Sequence, residues 1–248
     1  VGADPNLQLQ GGPFVHGGVA YFARANDPSG HSLWATDGTE AGTVRVAFAQ
    51  STITGATLVM AGLGSGVVFP ADDVVAGKEL GRSDGPPAGT VLVRDLSPGQ
   101  LQSSSPWDDG KSAWKATVGD DFYFRGINSS SNELWRSDGT PAGTRLVRPG
   151  VPEVEQEVGV AWMADVGGVL YFDAQHRQQG RGLWRTDGTQ AGTEFIKQVE
   201  IEHFNGSATP LAVGNTLFFA GRTSNQGAEL WSSDGTANGT RLVRDILG

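Results

Sequence analysis

The residues of this 248-residue chain that could do chemistry are few, and most lie where otherwise similar segments differ from one another. Three of the four histidines, His31, His176 and His203, are of this kind; three imidazoles would bind a transition-metal ion if they converged to about 2 Å from it. His16 sits at a tight turn and has no such role. Acids gather at Asp108-Asp109 and at Glu153, Glu155 and Glu157, whose alternate spacing puts the three glutamates on one side of an extended segment. A solvated acidic rim is one reading of them. The other is a glycosidase pair, which needs carboxylates about 5–10 Å apart across the scissile bond. Trp107, Trp114 and Trp162 are the tryptophans without a repeated position, and an aromatic face stacks well on the apolar side of a sugar ring. Core filling is the competing role. A ligand site would draw on Trp114 and Trp162 for stacking, with Trp107, Asp109, Glu157, His203 and Asn205 as neighbouring partners. No Ser-His-Asp elbow, phosphate-binding glycine loop or zinc-binding helix motif is present, so no catalytic residue and no cofactor is assigned.

Composition limits the scaffold that must hold these residues. Glycine accounts for 37 residues, about twice ordinary usage, while charged residues are only 18%. Each helix-interior glycine costs about 1 kcal/mol relative to alanine, which disfavours a helical bundle and favours short strands joined by tight turns. The net charge of −9 repels a phosphate backbone and argues against nucleic-acid partners. With no cysteine there is neither a disulfide nor a thiolate site. The most apolar stretch, Thr57 to Ala71, is too short and too broken by glycine to insert in a membrane as a helix.

Five copies of one unit fill the chain. Their signature segments begin at Ser32, Glu79, Glu133, Gly182 and Glu229, and the turn aspartates are Asp37, Asp84, Asp138, Asp187 and Asp234, spaced 47, 54, 49 and 47 residues apart. An aromatic strand ends at Phe22, Phe69, Phe124, Phe172 and Phe219, each preceded by a glycine turn. Each unit therefore reads as four antiparallel strands, a to d; in the last copy these are 210–213, 216–220, 228–232 and 240–246. Units of this length and content are propeller blades, which bury a face only against a neighbour. The expectation is a single-domain, all-β, five-bladed β-propeller with repeats at about 1–50, 51–99, 100–150, 151–200 and 201–248. Its ends should meet at one blade junction, since residues 242–248 read on into 1–11 parallel residues 92–102.

Between strands c and d runs Asp-Gly-Thr-x-x-Gly-Thr. Its Asp can accept hydrogen bonds from the backbone two residues on, and its first Gly can supply a positive φ, so the five aspartates are read as structural turn residues. Calcium is the rival, but each loop offers one acid where an EF-hand type site needs several. Trp34, Trp135, Trp184 and Trp231 share one repeat position, with Gly81 in the second copy, and read as blade packing. Arg94-Asp95 and Arg244-Asp245 read as surface charges worth little.

The consensus Glu-Leu-Trp-x-Ser/Thr-Asp-Gly-Thr-x-Ala-Gly-Thr resembles the ELWxxDGT repeat family of bacterial secreted and surface proteins, most fully at 133–144 and 229–240. The turn also looks like the Asp-box of sialidase propellers, and the ring size like five-bladed lectins of the tachylectin type. The second copy departs, with Gly81 for Trp and Pro86 for Thr, which leads one to expect an irregular blade. The resemblance implies architecture and export, and it brings no catalytic residue. With the absence of cysteine and a start at Val1, it implies a secreted or cell-surface location. Variation is confined to the b–c loops (26–31, 72–78, 127–132, 175–181, 222–227) and d–a connections (50–55, 97–111, 150–159, 201–207). Loops held by a rigid scaffold carry function. The leading expectation is a non-catalytic, lectin-like binding module for a glycan; the alternatives are a protein–protein scaffold in a surface protein, or a metal-dependent or carboxylate hydrolase.

Overall fold

A computed structural model of the chain describes residues 9–27, 30–46, 51–52, 60–73, 77–96, 115–128, 131–147, 160, 162–176, 178–202, 210–224 and 226–246. Among them are five antiparallel sheets. Sheet 1 is β1 (Leu9–His16), β2 (Val19–Asp27), β3 (Gly30–Thr36) and β4 (Val44–Val46). Sheet 2 is β5 (Ser51–Thr52), β6 (Ala61–Leu63), β7 (Gly66–Asp73), β8 (Gly77–Ser83) and β9 (Val91–Arg94). Sheet 3 is β10 (Lys115–Val118), β11 (Asp121–Asn128), β12 (Ser131–Ser137) and β13 (Arg145–Leu146). Sheet 4 is β14 (Trp162–Val166), β15 (Val169–His176), β16 (Gly180–Thr186) and β17 (Glu194–Gln198). Sheet 5 is β18 (Glu200–Ile201), β19 (Leu211–Val213), β20 (Thr216–Thr223), β21 (Gln226–Ser233) and β22 (Arg241–Arg244). One 3-10 turn at Pro87–Gly89 completes the described elements.

Two compact units hold these sheets: residues 1–112, 126–129 and 137–144 in one, and 113–125, 130–136 and 145–248 in the other. In both, period-two alternation decides the packing. Tyr21, Ala23, Leu33 and Val46 share one face of sheet 1, hereafter the front, because Ala23 pairs with Leu33 and Leu33 with Val46. Phe22 pairs with Trp34 on the back. The core of the first unit is the front of sheet 1 against Met60, Val67, Phe69 and Ala71 on the back of sheet 2. The second unit repeats this twice. Tyr123, Leu134 and Val147 from the front of sheet 3 meet Met163, Leu170, Phe172 and Trp184 from the back of sheet 4. Tyr171, Leu183 and Ile196 from the front of sheet 4 meet Leu217, Phe219 and Trp231 from the back of sheet 5. Each buried Val, Leu, Ile, Met or Phe among them contributes about 1.5–3 kcal/mol by burial.

Two expectations need revision. Sheet 2 departs from the others at its turn, where Pro86 stands for Thr and a 3-10 turn follows, but not at Gly81: its central strands pair without a break from Val67–Ser83 to Asp73–Gly77. The Phe69 ring fills the missing indole's place, 2.8 Å from where a Gly81 Cβ would lie. Strand a is also longer than the sequence suggests. In sheets 2 and 5 it comes in two pieces, because Ser51–Thr52 and Glu200–Ile201, of which 51, 52 and 201 were counted above as connection, pair with strand b beside β6 and β19.

Candidate functional site

Every sheet has a turn end, between strands c and d, and a loop end, between strands b and c. At the turn end one network recurs. The Asp carboxylate accepts the N–H and the hydroxyl of the following Thr: Asp37 from Thr39, Asp138 from Thr140, Asp187 from Thr189 and Asp234 from Thr236. These bonds hold the carboxyls of Asp37, Asp187 and Asp234 below the usual aspartate range. The first glycine has φ between +83° and +117° in all five copies. The second is there for space, since a Cβ at Gly42, Gly89, Gly143, Gly192 or Gly239 would overlap the Asp carboxylate. A hydroxyl relay lies beneath. Thr144 donates to the Thr140 carbonyl, Ser137 bonds the Thr144 hydroxyl at 2.7 Å, and the Gly139 N–H donates to Ser137. Thr36, Ser83, Thr186 and Ser233 do the same in the other copies. That Ser/Thr before the Asp was visible in the consensus, but only its burial reveals the role.

The loop end of sheets 4 and 5 is of another kind. Asp173 on β15 is fully buried and holds Arg181 on β16 through two bonds, Nε to Oδ2 at 2.7 Å and Nη2 to Oδ1 at 3.0 Å. The two are diagonal neighbours on one face of the hairpin, since Asp173 pairs with Leu183 and Gln175 with Arg181. On sheet 5, Arg222 Nε lies 3.1 Å from Glu200 Oε2 and 3.0 Å from Glu202 Oε1. Glu200 and Arg222 are direct cross-strand partners, so the extra strand β18 creates this cluster. The Arg222 guanidinium keeps the Glu200 carboxyl below its ordinary range, with a smaller pull from Arg181. The loop end thus presents three carboxylates and two guanidiniums, with Glu200 and Arg222 about half exposed. Acceptors and forked donors side by side can orient hydroxyl groups of a ligand.

The buried Glu of the repeat also has work that its sequence did not announce. Glu79 accepts the Leu96 N–H at 2.8 Å and Glu229 the Ile246 N–H at 3.2 Å, so both tie down the chain leaving strand d.

Trp162, expected as half of an aromatic platform, is 2% exposed in the core between sheets 4 and 5, and neither ring face is open to a ligand. His176 is buried as well; its Nδ1 accepts the N–H groups of Gln178 and Gln179, and its ring packs on Trp184 and Phe195. It closes the β15–β16 hairpin. His31 lies in β3 and its side chain is outside the described part. Trp107, Asp109, Trp114, Glu157, His203 and Asn205 lie outside the described residues. Among the described residues no cluster of three or more His, Asp or Glu is placed to hold a metal ion. No described helix is long and apolar enough to cross a membrane.

No protein-family model and no curated protein matches the chain. Among solved structures it is similar to a puromycin hydrolase mutant, with a TM-score of 0.50 at 12% identity over 89% of this chain and 32% of that one. It is also similar to a putative TolB from Agrobacterium tumefaciens, with a TM-score of 0.44 at 13% identity over 95% and 80% of the two chains. TolB from Acinetobacter baumannii gives 0.44 at 11%, over 88% and 50%. The chain spans about a third of the length of the hydrolase. At such identity the likeness concerns fold alone: the chain is all-β and β-propeller-like.

Proposed function

We propose that the chain is a non-catalytic binding module of the ELWxxDGT repeat type, with one blade per repeat and five blades in all, and that the loop end of sheets 4 and 5 takes a polyhydroxylated ligand such as a glycan. The observation that carries this is the charged set Asp173, Arg181, Glu200, Glu202 and Arg222. Buried Asp173 fixes the Arg181 fork, and Arg222 holds two carboxylates ready to accept hydroxyl protons. Carbohydrate hydroxyls donate and accept at once, which matches this mixture better than a purely anionic or cationic ligand does. His203 and Asn205, one and three residues after Glu202 in the chain, are assigned to the same site. Trp114 is assigned the stacking role; Trp162, buried in the core, drops out of it. A secreted or cell-surface location, with a glycan or surface protein as partner, belongs to the same proposal.

A glycan array read with wild-type protein and with Arg222→Ala tests it. Binding that the substitution lowers by about tenfold or more, the worth of one charge-assisted hydrogen bond, supports the site. An array silent throughout favours the protein scaffold, and binding untouched by Arg222→Ala moves the site elsewhere.

A further inference from the structure

An aspartate followed by glycine is a peptide linkage prone to rearrange, because no Cβ shields the glycine nitrogen from the carboxyl beside it. All five turn aspartates have this neighbour, and all five are exposed. A sixth such pair, Asp109-Gly110, lies outside the described residues. In every turn the glycine N–H donates to the Ser or Thr hydroxyl before the aspartate, at 2.9–3.1 Å. The nitrogen is therefore held alike in the five copies. The carboxyl is not.

In four copies the following threonine fixes the carboxylate through its N–H and its hydroxyl, at 2.7–2.9 Å. Pro86 has neither group, so Asp84 loses both bonds. The sheet 2 turn closes without them. The N–H groups of Gly89 and Thr90 donate to the carbonyls of Pro86 and Pro87, at 3.0 and 3.1 Å. In the other copies the N–H of the second glycine instead donates to the threonine hydroxyl that holds the aspartate. The backbone differs as well, with φ of +117° at Gly85 against +83° to +93° at the other four first glycines. The threonine bonds also act on the chemistry of the carboxyl. Only the protonated acid can lose an oxygen as water, and those bonds hold Asp37, Asp187 and Asp234 as carboxylates to lower pH than usual.

We propose that Asp84-Gly85 is a site of isoaspartate formation, and that the threonine of the other four turns protects them from the same reaction. The Gly85 nitrogen attacks the Asp84 side-chain carboxyl carbon and loses its proton, and one carboxyl oxygen leaves as water. The five-membered imide then takes up water. When its bond from nitrogen to the α-carbonyl carbon breaks, the main chain runs through the side-chain carboxyl and the α-carboxylate is left free. Nothing is oxidised or reduced, and no mass is gained. The class of enzyme that would act on the product is a carboxyl methyltransferase that recognises this free α-carboxylate. The inference is independent of the binding role above, because the site lies at the turn end of sheet 2.

The test is prolonged warm incubation of the folded chain near neutral pH. Isoaspartate is then read peptide by peptide, by methyltransferase labelling and fragmentation. Asn205-Gly206 and Asn238-Gly239 gain mass as they rearrange and are counted apart. Asp84 should convert about tenfold or more faster than Asp37, Asp138, Asp187 or Asp234, the factor for one charge-assisted hydrogen bond. Pro86→Thr should remove that excess and leave the other four unchanged. Thr140→Val, folded by circular dichroism, should raise conversion at Asp138 severalfold. In urea the five sites should convert at similar rates. Equal conversion at all five in the folded chain overturns the proposal. So does an Asp84 excess that persists in urea, which would place its cause in local sequence alone, or a rate at Asp138 that Thr140→Val leaves unmoved.

Discussion

The two ends of the sheets solve the same problem, holding a polar connection against an apolar sheet, in opposite ways. At the turn end everything needed lies within about eight residues, from the Ser/Thr before the aspartate to the threonine that closes the loop. Five copies of that string give five closely similar networks, with Asp84 the one variant because Pro86 replaces its threonine partner. At the loop end of sheets 4 and 5 the partners are diagonal or cross-strand neighbours, Arg181 with Asp173 and Arg222 with Glu200, and the two sheets use different ones. A short-range network survives repetition because each copy carries all its parts. A cross-strand network is free to differ from sheet to sheet, which is why recognition belongs there.

The sharpest way to break this contrast is to remove the buried acid of the loop end. Asp173→Ala removes both bonds that fix the Arg181 guanidinium, which keeps about a fifth of its surface. The cost should be about 3 kcal/mol, the low end for breaking a buried pair because Arg181 retains some water. Urea unfolding reads it, and a loss well under 1 kcal/mol would show that the pair is no more than a surface contact. The turn end should give a smaller but uniform penalty. Ser137→Ala leaves the Gly139 N–H without its acceptor and takes from the Thr144 hydroxyl one of its two partners, at about 1–3 kcal/mol. Ser233→Ala, which has the same bonds in sheet 5, should cost the same within about 0.5 kcal/mol. Unequal values would mean that the repeated network depends on its surroundings.

This division also explains what could be read from the sequence. The strands, the turns and the four shared tryptophans followed from spacing, since glycine turns and period-two alternation are local. The role of Ser137 or Glu79 did not, because a short polar side chain inside a strand looks the same whether it faces water or a backbone N–H. Trp162 was misplaced for a related reason. Its repeat position holds Gly12, Val59, Trp114, Trp162 and Thr209, a range of sizes that suggested solvent, yet the indole fills a space bounded by Ile201 and Val199 that no count within one repeat could reveal. The Asp173–Arg181 pair escaped because its partners are eight residues apart on two strands whose register only the hairpin fixes.

The smallest effect discriminates most cleanly. Asp37, Asp187 and Asp234 are held below the ordinary aspartate value of about 3.9 by their own threonines, and Glu200 below its range by Arg222. In all four the folded state favours the carboxylate. Each therefore adds stability that is fully present above the unfolded pKa and lost as pH falls through the lower folded one. Melting temperature should drop across that acid window and stay flat above it. Carboxyl titrations followed by NMR then separate the two ends. Arg222→Ala should return Glu200 to the ordinary glutamate range, because the stabilising charge comes from the opposite strand. The same substitution should leave Asp37, Asp187 and Asp234 where they are, since each relies on a threonine two residues away. If all four shift together, the common cause is the field of the whole acidic chain, and the local and cross-strand accounts of the two ends both fail.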